Sequence, residues 1–188
     1  MTLLFFKTKN FIPNLYYEDF SKIDFLKLQE KGKTIIFLDI DNTIMSYCEK
    51  RPNADILNNI NNAVKLGFEI ILVSNNNKQR VGDFAEIMNF RFVYRAMKPF
   101  KVGFKKALKL VNNESKENII FIGDQLMTDV FGANRMGIDN ILVKPLKTSS
   151  EHWYTKINRC LENSVLKSIR KKDEEMFNKI MRGKENEK

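Results

Sequence analysis

Thr34-Ile35-Ile36-Phe37-Leu38-Asp39-Ile40-Asp41-Asn42-Thr43 is the stretch that decides how the rest of the chain reads. Residues 34–38 are apolar or β-branched without polar alternation, the pattern of a strand buried on both faces inside a parallel sheet. The run then stops on two acids one residue apart. In extended backbone residues i and i+2 point the same way, so Asp39 and Asp41 can converge on one ligand or metal ion at the carboxyl edge of a sheet. Taken alone, Asp-x-Asp-Asn reads more simply as a turn that ends a strand. The rest of the chain decides between the two.

Downstream, strands and helices alternate. Pro52 opens a helix carrying Ile56, Leu57, Ile60, Ala63, Val64 and Leu66 at helical spacing, and Gly67 closes it. Glu69-Ile70-Ile71-Leu72-Val73 is a second buried strand, followed by a helix over 78–88 and a short strand at 91–94. A helix over 100–112 leads to a third long strand, Asn118–Ile122, then a helix at 130–135 and a last strand at 141–143. This order implies βαβ units: an α/β fold with a parallel sheet of about five strands and helices on both faces. Upstream, Asp19–Glu30 reads as a short amphipathic helix burying Phe20, Ile23, Leu26 and Leu28. Beyond His152, Trp153, Ile157, Leu161, Val165, Leu166 and Ile169 fall at helical spacing, with Trp153 a packing residue, and the end of the chain is strongly charged. The expected organisation is an apolar and aromatic arm with a short helix over 1–32, an α/β core over 33–148, and a helical extension with a charged tail over 149–188.

The chain has 188 residues, enough for one domain with a proper core plus appendages. It has no run resembling a transmembrane helix and no secretory signal pattern, and its two cysteines form neither a zinc motif nor a disulfide framework. A cytoplasmic protein is expected. The formal net charge of +9 suits an anionic partner, whether nucleic acid, phosphorylated substrate or anionic lipid, but is equally a solvated basic surface in a chain rich in Lys and Asn.

Four strand ends or the loops after them carry polar groups of a complementary kind: Asp39 and Asp41; Ser74 and Asn75; Lys98; Asp124 and Asp129. In a parallel sheet these meet in one crevice. The set suits phosphoryl transfer. One carboxylate attacks, a second moves protons, a hard divalent ion relieves the crowding of acids, and Lys98 with the Ser74 hydroxyl balances charge on the phosphoryl oxygens. This convergence turns the reading of Asp39-Ile40-Asp41 from a turn to a site.

Asp39-Ile40-Asp41-Asn42-Thr43, Ser74, Lys98-Pro99 and Gly123-Asp124-x-x-x-x-Asp129 resemble, in order and spacing, the four motifs of haloacid dehalogenase (HAD) superfamily phosphatases. The resemblance covers roughly residues 33–145. It implies a HAD-like Rossmannoid fold, with Asp39 as nucleophile and Asp41 as acid/base. It also implies Mg²⁺ held by Asp39, the Asp41 backbone carbonyl and Asp124. Thr43, Ser74, Asn75 and Lys98 would contact the phosphate, with Asn42 and Asp129 in support. Val73-Ser74-Asn75-Asn76-Asn77, Ala96-x-Lys98-Pro99, the run from Gly123 to Val130, and Gly132 with Asn134-Arg135 are more closely similar to the YqeG family of subclass IIIA. That family is similar to phosphatidylglycerophosphate phosphatases, so the resemblance implies a lipid substrate.

The spacing leaves no room for a large cap: one loop and one helix separate Thr43 from Ser74, and one helix separates Lys98 from Asp124. An open site suits a phosphate on something large. Hydrophobes near the amino terminus (Leu3, Leu4, Phe5, Phe6, Phe11, Ile12, Leu15, Tyr16, Tyr17) with Lys7 and Lys9 between them read either as a lipid-inserting segment or as an arm packed on the domain. The expected partner is an anionic phospholipid at the inner membrane face, contacted peripherally. The alternatives are a soluble phosphorylated metabolite, nucleotide or nucleic acid end, or a basic RNA-associated binding protein. No RNA-binding motif with stacking aromatics is present, so a nucleic-acid partner is not expected.

Overall fold

In the computed structural model the 34–38 run becomes β2 (Ile35–Leu38), every residue of it buried. The structure describes residues 7–146 and 153–185, with side chains of 153–160 and 184–185 excepted. In chain order the elements are β1 (Leu15–Tyr17), α1 (Phe25–Glu30), β2, α2 (Ala54–Lys65), β3 (Glu69–Val73), α3 (Lys78–Met88) and β4 (Arg91–Val93). They continue with α4 (Lys101–Leu110), β5 (Ile119–Gly123), α5 (Phe131–Met136), β6 (Asp139–Val143), α6 (Trp153–Lys172) and α7 (Glu174–Glu185).

The strands form one parallel six-stranded sheet in the order β1-β6-β5-β2-β3-β4. From β2 the chain runs outward through β3 to β4, then returns to β5 on the other side of β2. The order therefore reverses between β2 and β5, where open α/β sheets place their ligands. The α/β parallel architecture expected from the sequence holds. The sixth strand comes from the amino-terminal arm: Leu15, Tyr16 and Tyr17 pair with Ile141, Leu142 and Val143.

Strand alternation sorts the core onto two faces. Ile36, Leu38, Ile70, Leu72, Ile120 and Ile122 pack with Phe20, Phe25, Ile56, Ile60 and Phe84 from the side of α1, α2 and α3. Ile35, Phe37, Ile71, Val73, Ile119 and Phe121 pack with Phe104, Ala107, Val111 and Met136 from the side of α4 and α5. Capping side chains set the helix starts: Asn53 accepts from the Ile56 N–H at 2.9 Å, and Asn77 from the Arg80 N–H at 2.9 Å.

A third cluster joins the two ends of the chain. Phe11, Leu126, Val130, Phe131 and Leu142 pack with Val165, Leu166, Ile169, Met176 and Ile180 of α6 and α7, and Phe11 stacks on Phe131 at 4.5 Å. The Asn134 amide donates to the carbonyls of Asn10 (2.8 Å) and Ile12 (3.0 Å), fastening the arm. Of the amino-terminal hydrophobes, Phe11 is buried and Ile12, Leu15, Tyr16 and Tyr17 are half-buried in packing, whereas Leu3, Leu4, Phe5 and Phe6 lie outside the described residues. The Trp153 and Ile157 side chains also lie outside them.

Two expectations need correction. Residues 19–30 are not one helix: a 3₁₀ turn at Phe20–Lys22 precedes α1, Phe25 is buried and Leu26 is exposed. In α6 Leu161 faces solvent and Glu162 takes the buried position. Both displace the expected stripe by one residue. Among the described residues no helix is long and apolar enough to cross a membrane.

Candidate active site

One step beyond Leu38, the Asp39 N–H donates to the Ile122 carbonyl at 2.9 Å, so Asp39 leaves the sheet beside the end of β5. Residues 40–46 then wind tightly: the N–H groups of Thr43, Ile44 and Met45 all approach the Ile40 carbonyl, at 3.2, 3.0 and 3.3 Å. Asn42 sits at φ 63°, a left-handed position that Asn tolerates better than most side chains. Its backbone ties the loop in both directions, donating to the Met45 carbonyl and accepting from the Leu146 N–H.

From β5, Gly123 and Asp124 enter the same crevice. A π turn follows, with the N–H groups of Asp129 and Val130 both donating to the Gln125 carbonyl. The turn brings Asp129 back against Gly123, so closely that a Cβ there would lie 2.5 Å from the Asp129 carboxyl carbon. Only glycine fits that position. Asp129 Oδ2 accepts from the Gln125 N–H at 3.0 Å.

Lys98 completes the centre. Its Nζ lies 2.7 Å from Asp39 Oδ1 and 2.8 Å from Asp129 Oδ1, over the Phe121 ring at 5.3 Å, with the side chain almost wholly buried. Asn75 fixes the Lys98 backbone in both directions, accepting from its N–H at 2.7 Å and donating to its carbonyl at 3.1 Å. Burial alone would depress the ammonium's pKa, but Asp129 and Asp39 more than offset that and hold it above the ordinary lysine range. Burial pushes Asp39 well above the ordinary carboxylate range. Lys98 opposes this, and Asp129 and Asp124 reinforce it.

Asp39, Asp124 and Asp129 are buried, and each offers a carboxylate oxygen within 4.8 Å of the others. Two of the three, Asp39 and Asp129, share the Lys98 ammonium. Asp129 Oδ1 meets the Lys98 ammonium at 2.8 Å, and Oδ2 is held by the Gln125 N–H. Buried carboxylate oxygens gathered this closely are the hard donors a divalent cation takes, so the residues fit a metal site.

The structure therefore brings Asp39, Lys98, Asp124 and Asp129 together, with Thr43 Oγ1 donating to Asp124 Oδ1 at 3.3 Å. The buried Ser74 Oγ accepts from the Asn76 N–H at 3.1 Å and retains its own proton to donate. The Asn75 amide faces the Lys98 backbone. Asp41 is gripped from α3 and the loop before it: Asn76 Nδ2 donates to Oδ2 at 3.0 Å, and Arg80 Nε and Nη2 both reach Oδ1 at 3.1 Å. Arg80 also binds the Ser46 carbonyl at 2.8 Å and the Glu49 carbonyl. Neither Arg80 nor the role of Asn76 was inferred from the sequence. Arg80 could have been, since it stands in the first turn of a helix that starts at the carboxyl edge of the sheet. Glu162 was missed as well: its Oε1 accepts from the Leu126 N–H at 3.0 Å, anchoring the π turn to α6.

A parallel sheet with carboxylates and a lysine gathered at its switch point, and no inserted cap domain among the described residues, is the architecture of a HAD-like hydrolase fold. The comparisons show the family. A family model described as HAD-hydrolase-like matches residues 96–171. The "Probable phosphatase YqeG" of Bacillus subtilis (strain 168) is 36% identical over 166 residues, which is 87% of this chain and 94% of that protein. The chain belongs to the YqeG family of HAD-superfamily phosphatases. Among solved structures, an uncharacterized protein from Listeria monocytogenes serotype 4b matches with a TM-score of 0.50 at 19% identity, over 58% of this chain and 77% of that one, which speaks for the fold alone. A hypothetical protein from Xanthomonas campestris matches with a TM-score of 0.48 at 10% identity, over 72% of this chain and 75% of that one.

Proposed function

We propose that the protein is a Mg²⁺-dependent phosphomonoesterase that converts phosphatidylglycerophosphate to phosphatidylglycerol. The observation that carries the catalytic reading is the Asp39–Lys98–Asp129 triad of charges, closed by Asp124 at the point where the strand order reverses.

Asp39 attacks phosphorus through a carboxylate oxygen, and the bond to the glycerol oxygen breaks as Asp41 delivers a proton to it. Asp41 then takes a proton from water, which attacks the aspartyl phosphate, releasing inorganic phosphate and restoring Asp39. Two Arg80 nitrogens occupy Asp41 Oδ1, whereas among the described residues Oδ2 accepts from Asn76, which leaves Oδ2 a lone pair for the proton it must carry. Lys98 balances charge as the phosphoryl group moves onto Asp39, and the Ser74 hydroxyl donates to a phosphoryl oxygen. Asp39, Asp124 and the Asp41 carbonyl would hold Mg²⁺. When bound, the ion neutralises charge on the phosphoryl oxygens.

The lipid substrate is supported by the family's likeness to phosphatidylglycerophosphate phosphatases, by the absence of an inserted cap domain between the described elements, and by the basic composition. Such an enzyme would work peripherally at the inner membrane face. The test is purified protein with phosphatidylglycerophosphate, with soluble sugar phosphates and nucleotides as competitors. A strong preference for the lipid, abolished in Asp39→Asn, is expected. Equal turnover of the soluble phosphates would overturn the substrate, and activity retained in Asp39→Asn would overturn the nucleophile.

A further inference from the structure

The described part of the amino-terminal arm is committed to packing, so a membrane-facing surface has to be sought elsewhere. The turn that delivers Lys98 is the candidate. The Phe100 N–H donates to the Met97 carbonyl at 2.8 Å, so Met97 and Phe100 are the two ends of one tight turn with Lys98 between them. Lys98 points inward and is 6% exposed, while Met97 and Phe100 point out at 56% and 59%. Val102, in the first turn of α4, is 48% exposed, and Tyr94, just past β4, is exposed as well. Large apolar side chains so exposed, on the turn that carries a site lysine and the helix start after it, are unusual on a folded surface.

Local preferences argue against these residues at these positions. Met97 has φ 57°, where Asn or Gly would be less strained. Phe100 is the N-cap of α4 and makes no side-chain cap bond, where Ser, Thr, Asp or Asn would. The turn is also rigidly seated: Gly103 packs so closely that a Cβ there would fall 2.2 Å from the Ala96 carbonyl oxygen. Exposed hydrophobes that break two local rules on a fixed support are placed for contact.

Charge says with what. No Asp or Glu occurs between residues 92 and 113, while Arg95, Lys101, Lys105, Lys106 and Lys109 are all exposed there. Apolar tips surrounded by lysines match an anionic lipid interface, where insertion and electrostatic attraction add. Protein interfaces are depleted in lysine, which argues against a protein partner.

We propose that the 94–105 surface, led by Met97 and Phe100, is the face on which this protein rests on an anionic membrane, with the crevice at Lys98 opening onto the lipid headgroups. The proposal rests on the lipid-substrate reading and adds the surface that serves it. It is tested with Met97→Asn/Phe100→Ser, substitutions that suit the left-handed position and the N-cap and so should preserve or raise the melting temperature. Vesicles of phosphatidylcholine with phosphatidylglycerol are compared with phosphatidylcholine alone by co-sedimentation. The wild type should bind the anionic vesicles, and the double variant should bind about tenfold less or weaker. Hydrolysis of a soluble aryl phosphate should be unchanged. Lys101→Glu/Lys105→Glu should weaken binding to the anionic vesicles only.

Undiminished vesicle binding by the Met97/Phe100 variant overturns the proposed surface. A wild type that binds neither vesicle, or binds instead a nucleic acid or a protein through these residues, overturns it too. Phosphatidylglycerophosphate in detergent micelles reports the substrate separately: preference for it there, with no role for Met97 and Phe100 on vesicles, sinks the surface and leaves the substrate standing.

Discussion

Lys98→Met tests the electrostatic core of the site. The substitution keeps an unbranched side chain of similar length against Phe121 and removes the charged ammonium with its N–H donors. It leaves Asp39 and Asp129, which Lys98 meets at 2.7 and 2.8 Å, as buried carboxylates next to Asp124 with no counterion. Removing one partner from a buried pair costs about 3–5 kcal/mol. For a chain of this size that corresponds to a fall in melting temperature of about 6–20 °C. The measurement is thermal unfolding by circular dichroism in EDTA. Adding Mg²⁺ should restore part of the loss, because the ion supplies positive charge to the same oxygens.

The pH dependence has a definite sign. Asp39 already stands above the ordinary carboxylate value of 3.8, and Lys98 is the influence that opposes the rise. In the variant its folded pKa climbs further. A carboxyl with a raised folded pKa binds its proton more tightly folded than unfolded, so it costs stability as pH rises from the unfolded value through the folded one. The deficit of Lys98→Met should be small in acid below pH 3.8 and grow from there upward. Lys98→Met/Asp129→Asn should recover part of the loss by removing one of the repelling charges. The reasoning is refuted if Lys98→Met at neutral pH in EDTA melts within the roughly 2–4 °C that a single kcal/mol moves a chain of this size.

Three further outcomes are expected. Arg80→Met should lower kcat about 10²-fold with little change in KM, because Asp41 loses its alignment. Arg80→Lys should fall between, since an ammonium cannot span Asp41 and two carbonyls, and unchanged kcat in either would remove Arg80 from the mechanism. Gly123→Ala forces Asp129 away and should cost about 1–3 kcal/mol in chemical denaturation together with most of the activity; full activity would show that the close approach is dispensable. Chelation should abolish hydrolysis, and Mg²⁺ at about a hundred times its dissociation constant should stabilise the protein by about 2.7 kcal/mol, whereas full activity in EDTA would remove the metal from the reading.

How much the sequence disclosed depends on how strongly each residue's setting constrains it. β2, β3 and β5 are covered on both faces, so they appear as largely apolar runs, and the polar residues that follow them (Asp39, Ser74 and Asp124) stand out by contrast. Leu15–Tyr17 is three residues at the sheet edge, half-buried throughout, and three residues carry no periodicity to read. Arg80 and Asn76 act from a loop and a helix start, where polar residues are ordinary, and only their position above the sheet edge marks them. Glu162 was legible in principle. Counting back from Val165, Leu166 and Ile169 by three, four and seven residues reaches position 162 each time, and an acid on a buried stripe signals a buried partner.

That partner gives the carboxy-terminal helices a reason to exist beyond covering apolar surface. The π turn that carries Asp129 back to Lys98 leaves the Leu126 N–H buried, and Glu162 from α6 accepts it. α6 and α7 are held in turn by the arm: Phe11 joins their cluster, and Gly183 of α7 lies against the Tyr16 ring and hydroxyl of β1. The two ends of the chain thus form one packed unit behind Asp124 and Asp129. Their hydrophobes serve the site from behind, whereas Met97 and Phe100, on the loop bearing Lys98, stay exposed.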